Sequence, residues 1–105
     1  MKLETFVKAA PALDKLFAAN LDVSIAYQIH KRLPEFTKQF TFYNTELDKC
    51  NKTYVGKEWN AKMRELLDFE VEYDLPPIVV KVKEGIALSV NDLMVLEPFV
   101  KFEEV

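Results

Sequence analysis

The stretch Leu33-Pro34-Glu35-Phe36-Thr37-Lys38-Gln39-Phe40-Thr41-Phe42-Tyr43-Asn44-Thr45-Glu46-Leu47-Asp48-Lys49-Cys50-Asn51-Lys52-Thr53-Tyr54 decides the fold. Within it Leu33, Phe36, Phe40, Tyr43, Leu47, Cys50 and Tyr54 step alternately by three and four. That spacing lines one side of an α-helix and makes a seam for packing against other helices. The seam is the expected centre of stability, with Phe40 as a buried member of it.

Upstream, Ile25, Ala26 and Ile29 continue the apolar positions, and Asp22 is a candidate N-cap. The helix is expected from about Val23 to Tyr54, roughly 50 Å at 1.5 Å per residue. Pro34 removes the bond to the His30 carbonyl, so a kink or restart is expected there. Gly56 closes the helix as a left-handed residue. Trp59, Met63, Leu66 and Leu67 then mark a further helix, and the short connection folds it back antiparallel on the long one. Toward the N-terminus, Leu3, Phe6, Val7 and Ala10 have helical spacing, a break is expected near Pro11, and Leu13, Leu16 and Phe17 resume the pattern as far as Asn20.

After Leu67 the period changes to two. Phe69, Val71 and Tyr73 alternate with Asp68, Glu70, Glu72 and Asp74, and beyond Leu75-Pro76-Pro77, Ile78, Val80 and Val82 alternate with Lys81 and Lys83. Two strands are expected, pairing antiparallel so that an acidic face meets a basic one. Glu84-Gly85 is a turn, and Ile86-Ala87-Leu88 extends the sheet. Ser89-Val90-Asn91-Asp92 has the form of a capping box. The helix it opens carries Leu93, Leu96 and Val100, with Pro98 kinking or restarting it. The expected fold class is α+β, mainly helical: a long kinked central helix in an antiparallel helical hairpin, a small antiparallel β-sheet and a short C-terminal helix. Residues 1–105 are expected to form a single domain.

Composition narrows the function. The net charge is −3, from 17 acidic and 14 basic residues of both signs interspersed, and Lys31-Arg32 is the one basic doublet. Nucleic-acid binding is therefore disfavoured. One cysteine forms no internal disulfide and fits a reducing compartment. The opening residues do not read as a signal peptide, and no apolar run approaches the roughly 20 residues of a membrane span.

Candidate chemistry is sparse. His30 is the one histidine, and Tyr27, Ala26, Leu33 and Pro34 around it supply no orienting carboxylate; it reads as partly buried beside the kink. Cys50 lies on the seam and reads as a small buried hydrophobe. One Cys and one His fall short of a zinc site. Outward residues on a strand stand about 7 Å apart, too far for Asp68, Glu70, Glu72 and Asp74 to share an ion. Gly56 and Gly85 are isolated and form no phosphate-binding loop. No catalytic residue, metal ligand or cofactor is expected, and the chain reads as a non-enzyme. Tyr27 and Phe42 lie off the seam and widen its apolar surface. With Tyr43, Tyr54, Trp59, Glu70 and Glu72 they are the candidate interface residues.

The opening Met1-Lys2-Leu3, Ala26-Tyr27, Leu66-Leu67-Asp68-Phe69-Glu70-Val71-Glu72 and Leu93-Met94-Val95-Leu96-Glu97-Pro98-Phe99 resemble, in this order, a family of small uncharacterised proteins of tailed bacteriophages, about a hundred residues long. The family usually carries a longer Lys-Tyr-Gly-type loop between its central helices, where this chain has Lys52-Thr53-Tyr54-Val55-Gly56. The resemblance implies a phage product acting in the bacterial host cytoplasm or in the virion. The leading expectation is stoichiometric binding of a host or phage protein, such as inhibition of a host or antiphage-defence protein. A virion or morphogenesis component acting by self-association is the alternative, and a nucleotide sponge a second one. A homodimer or higher homo-oligomer is expected. A helix of roughly 50 Å exceeds the compact diameter of such a domain, about twice a 13 Å radius of gyration, so a second subunit or a partner would cover its far end, along the helix itself or its Phe42/Tyr27 edge.

Overall fold

The computed structural model describes residues 1–82 and 87–104. The elements run α1 (Leu3–Ala18), α2 (Val23–Thr53), α3 (Gly56–Leu67), β1 (Ile78–Val82), α4 (Val90–Leu96) and β2 (Val100–Glu104). Among the described residues the chain is mainly helical, with one small sheet. The turn expected at Glu84-Gly85 lies outside the described residues.

Neither proline interrupts its helix. Pro11 lies inside α1 and Pro34 inside α2. Both are exposed, so each lost backbone bond leaves a carbonyl that water can reach. This corrects the break expected near Pro11. Leu3, Phe6, Ala9, Leu13 and Leu16 are all buried along α1, and this unbroken stripe outweighs one missing bond. α2 opens with the Ala26 N–H donating to the Asp22 carbonyl at 2.9 Å, which puts Asp22 at the cap position its sequence suggested. α3 starts at Gly56 with φ +59°, the left-handed conformation that reverses the chain after α2.

Tertiary contacts divide the residues into two compact units, each made of separate chain segments. The first comprises Met1–Val7 and Pro34–Asp74. Its core is an aromatic cluster. The Phe6 ring meets Phe36 at 6.2 Å, Phe40 at 6.2 Å and Tyr73 at 5.2 Å, all edge-on, while Phe36 stacks on Tyr73 at 5.8 Å. Such edge-to-face and offset pairs suit the ring quadrupoles. Buried Gln39 donates from Nε2 to the Glu72 carbonyl at 3.3 Å. The segment expected as an acidic-faced strand, Phe69–Tyr73, forms no named strand and, among the described residues, makes one antiparallel bridge, Lys2 to Glu70. Its backbone groups go to the N-terminal segment instead: the Leu3 N–H donates to the Phe69 carbonyl at 2.9 Å and the Val71 N–H to the Met1 carbonyl at 2.9 Å.

The second unit comprises Lys8–Leu33 and Leu75–Val105. Ala9, Ala12, Leu13, Leu16, Ile25 and Ile29 from the helices join Ile78, Val80, Leu96, Phe99 and Val100 in its core. The sheet here is a correction. β1 pairs in parallel with β2, in the register Ile78↔Val100, Val80↔Phe102 and Lys81↔Glu103. The expected antiparallel partner, residues 69–73, belongs to the other unit, and Val100, expected on a C-terminal helix, opens β2 instead. A parallel pair requires a crossover of a dozen or more residues. The stretch from 83 to 99 supplies it and contains α4. α4 ends at Leu96, two residues before Pro98. Lys81 thus lies beside the acid Glu103, so the expected pairing of opposite charges on neighbouring strands is made by a different strand.

Candidate functional site

The geometry that stands out in the first unit is an open groove of about 530 Å³ where the end of α2 and α3 face each other. From α2 and the turn come Phe42, Glu46, Lys49, Cys50, Thr53 and Tyr54; from α3 and just beyond come Lys62, Glu65, Leu66 and Phe69. Three contacts fix how these segments meet. Trp59 Nε1 donates to Asn51 Oδ1 at 2.7 Å, Lys62 Nζ stands 5.6 Å from the Tyr54 ring centroid, and the Phe42 and Phe69 rings are 5.5 Å apart. The outer two, Phe42 with Phe69 and Tyr54 with Lys62, run in opposite order along the two segments, as in helices folded back on each other.

Apolar floor and charged rim are cleanly divided. Cys50 is buried, and Phe42, Tyr54 and Leu66 are half-buried. Phe69 is 53 % exposed. On the rim Lys49 pairs with Glu46 at 3.2 Å and Lys62 with Glu65 at 3.5 Å. Two bases thus face two acids, and the groove offers no surplus charge of either sign.

Beside the groove, at the α2–α3 turn, stands Val55. It is the N-cap of α3, with extended backbone (φ −138°, ψ 157°) and no side chain accepting from the helix N–H groups. Valine is among the poorest cap residues, and this one is 83 % exposed. A second charged cluster lies along the N-terminal segment: Arg64 pairs with Glu4 and Asp68, Lys2 pairs with Asp68 at 3.4 Å, and the Met1 amino group with Glu70 at 2.8 Å. The Arg64 hydrogen bond, aided by Lys2, holds the Asp68 carboxyl below the usual carboxylate range, and Glu4 first, then Asp68, hold Arg64 above its own.

The structure brings together part of the interface set expected from sequence. Phe42 and Tyr54 line the groove. Trp59 is half-buried and tied to Asn51, and Tyr43 is half-buried on α2 outside the groove lining. Glu70 is held by the Met1 amino group, while Glu72 is exposed and its carbonyl accepts from Gln39. Tyr27 belongs to the second unit, where its ring stacks on His30 at 6.4 Å beneath Lys31 Nζ at 5.8 Å. His30 itself is exposed, which corrects its expected partial burial. Solvent surrounds it because the buried positions of this part of α2 are Ile25 and Ile29, on another side of the helix.

Sequence reasoning missed Phe69, Leu66 and Val55. Alternation puts Phe69 on the apolar face of a strand, and helical spacing puts Leu66 on the apolar side of α3. Val55 did carry a signal, an apolar residue where a helix start calls for Ser, Thr, Asp or Asn. Among the described residues, no group of three or more His, Cys, Asp and Glu side chains is placed to hold a metal ion, and no helix is long and apolar enough to cross a membrane. Comparison of the chain with protein-family models, with curated proteins and with solved structures finds no match.

Proposed function

We propose that this chain is a non-catalytic, phage-encoded protein that acts by stoichiometric binding to a host or antiphage-defence protein, with the α2–α3 groove as its docking surface. The observation that carries this reading is the groove's make-up: aromatic and aliphatic side chains on the floor, Phe69 half in solvent, and a charge-balanced rim. An apolar floor with a polar rim is the anatomy of a protein interface, and aromatic side chains supply most of the binding energy in such surfaces. A groove between two helices suits the apolar face of a partner helix. Val55 adds weight, because a local rule broken at an exposed position is a mark of function. The bacterial host context rests on the resemblance of the sequence to small proteins of tailed bacteriophages.

The nucleotide-sponge reading is weaker on the same geometry. A phosphate needs uncompensated cationic donors, and Lys49 and Lys62 each already face a glutamate. Self-association has a separate observation in its favour, the second edge of β2, which no described strand meets.

The test is site-specific photocrosslinking in infected bacteria, with the photoreactive residue at position 69 and, as control, at exposed Lys8. A single crosslinked protein at 69 and none at 8 is expected. The purified partner should then bind the wild-type chain in a fixed ratio by calorimetry, and Phe69→Asp should abolish binding while leaving the helical circular dichroism intact. No crosslink at 69, or binding that survives Phe69→Asp, would overturn the reading.

A further inference from the structure

We infer that this chain forms a two-fold symmetric dimer by pairing β2 with β2 of a second copy, antiparallel, across the open edge of the sheet. Among the described residues the sheet has two strands only. Each strand spends one edge on the other, so the second edge of β2 carries a row of backbone donors and acceptors that no described strand meets. An uncovered strand edge is a template for pairing with another chain, and a sheet of two strands gains most from such an extension.

The sequence of β2, Val100-Lys101-Phe102-Glu103-Glu104, says which partner fits. An antiparallel two-fold pairing centred on Phe102 sets Lys101 of each copy opposite Glu103 of the other. Centring one residue earlier would oppose Lys101 to Lys101, and one residue later Glu103 to Glu103. Opposite charges directly across a ladder stabilise it and like charges destabilise it, so charge alone selects one register, and it is self-complementary. Lys101 and Glu103 are both exposed, with 3.7 Å between their charged groups within one chain. In the dimer these pairs merge into a ladder of four alternating charges. The free edge of β1, Ile78-Val79-Val80-Lys81-Val82, has no acid and no such register.

The surface beside β2 supports the same occupant. α4 buries Asp92 and Leu96 but leaves Val90 76 % and Met94 66 % exposed, with Leu93 43 % exposed on the same side. With Val100, Phe102 and Pro77 these side chains line an apolar hollow of about 450 Å³, and the charged groups at its rim are Glu97 and Lys101, one of each sign. An isologous interface uses the same patch on both copies and must be complementary to itself, which a patch of balanced charge satisfies.

This dimer does not depend on the groove in the first unit, and its test is separate. Sedimentation equilibrium of the full chain at up to roughly 100 µM should give twice the 12.2 kDa chain mass. Lys101→Glu and Glu103→Lys should each weaken association by about tenfold or more, since symmetry doubles every change. The double variant, which restores opposite charges in the same register, should recover it. Both positions are exposed, and because Glu103 also lies beside Lys81 of β1, thermal melts followed by circular dichroism establish that each variant is folded before its association is compared. As a second measurement, hydrogen exchange at the β2 amides should slow with rising concentration. A monomer throughout, a dimer indifferent to both single reversals, or a double variant no better than the singles would each overturn the pairing.

Discussion

Phe36 and Phe40 sit one turn apart on α2, and the structure treats them differently. Phe36 is 2 % exposed, against Phe6 and Tyr73, whereas Phe40, the next residue of the apolar seam, is only half-buried. Periodicity identifies the side of a helix that is covered; the depth of cover depends on what lies over each position. Phe36→Ala should therefore cost about 3–5 kcal/mol, a large share of a typical stability of about 5–15 kcal/mol, read as a lowered urea midpoint with unchanged slope. Phe40→Ala should cost less. Equal midpoints for the two variants would show that the aromatic cluster is not centred on Phe36. Cys50, on the same seam, is buried as its position suggested.

Among the elements, the two short helix starts contrast. α4 has a complete capping box: the Ser89 hydroxyl accepts from the Asp92 N–H at 3.0 Å, and the Asp92 carboxylate accepts from the Ser89 N–H at 2.9 Å. α3 has none, because Val55 has no acceptor in its side chain. Val55→Asp should stabilise the isolated chain by about 1 kcal/mol, since an N-cap acceptor is worth roughly 0.5–2 kcal/mol, and the added carboxylate also suits the positive end of the helix dipole. Thermal melts should show the rise. If Val55 serves docking at the groove, the same variant should bind the partner more weakly while being the more stable protein. No change in melting temperature would mean that α3 gains nothing from a cap.

For the whole molecule, pH response follows from which carboxylates the fold engages. Asp92 is buried and held below the usual carboxylate range, first by the Lys15 ammonium at 2.9 Å and then by the Ser89 backbone N–H. Asp68 is lowered likewise by Arg64. A carboxyl with a depressed folded-state pKa adds stability above its unfolded value of about 3.9, and that stability is lost as pH falls through the folded value. Melting temperature should thus be nearly level from neutral pH down to about 5 and fall steeply below about 4. Asp92→Asn should lower stability at pH 7 and flatten the acid fall, because the variant has one fewer carboxylate to protonate. An acid limb identical in the two proteins would show that Asp92 does not drive it.

The sequence by itself determined that the chain is mainly helical and where α2, α3 and the start of α4 lie, because a periodic run of apolar residues, a cap such as Ser89 and a left-handed glycine such as Gly56 are local signals that act within one or two turns. It located Asp22 at the start of α2 and the turn between α2 and α3, and through Phe42 and Tyr54 it touched the groove. The tertiary structure alone decided the sheet. Alternation along 69–73 and 78–82 says that each segment is extended with one covered face, but not which backbone each will meet. In the fold 69–73 runs beside the N-terminal segment, whose Lys2 and Met1 amino group answer the acids Asp68 and Glu70, and 78–82 pairs with a strand some twenty residues on. Strand pairing is settled by contacts between residues far apart in the chain, and several partners of matching charge compete for each. The groove was hidden for the same reason: Phe69 and Leu66 bear on Phe42 and Tyr54 only once α3 lies against α2, a contact that no spacing within either segment encodes.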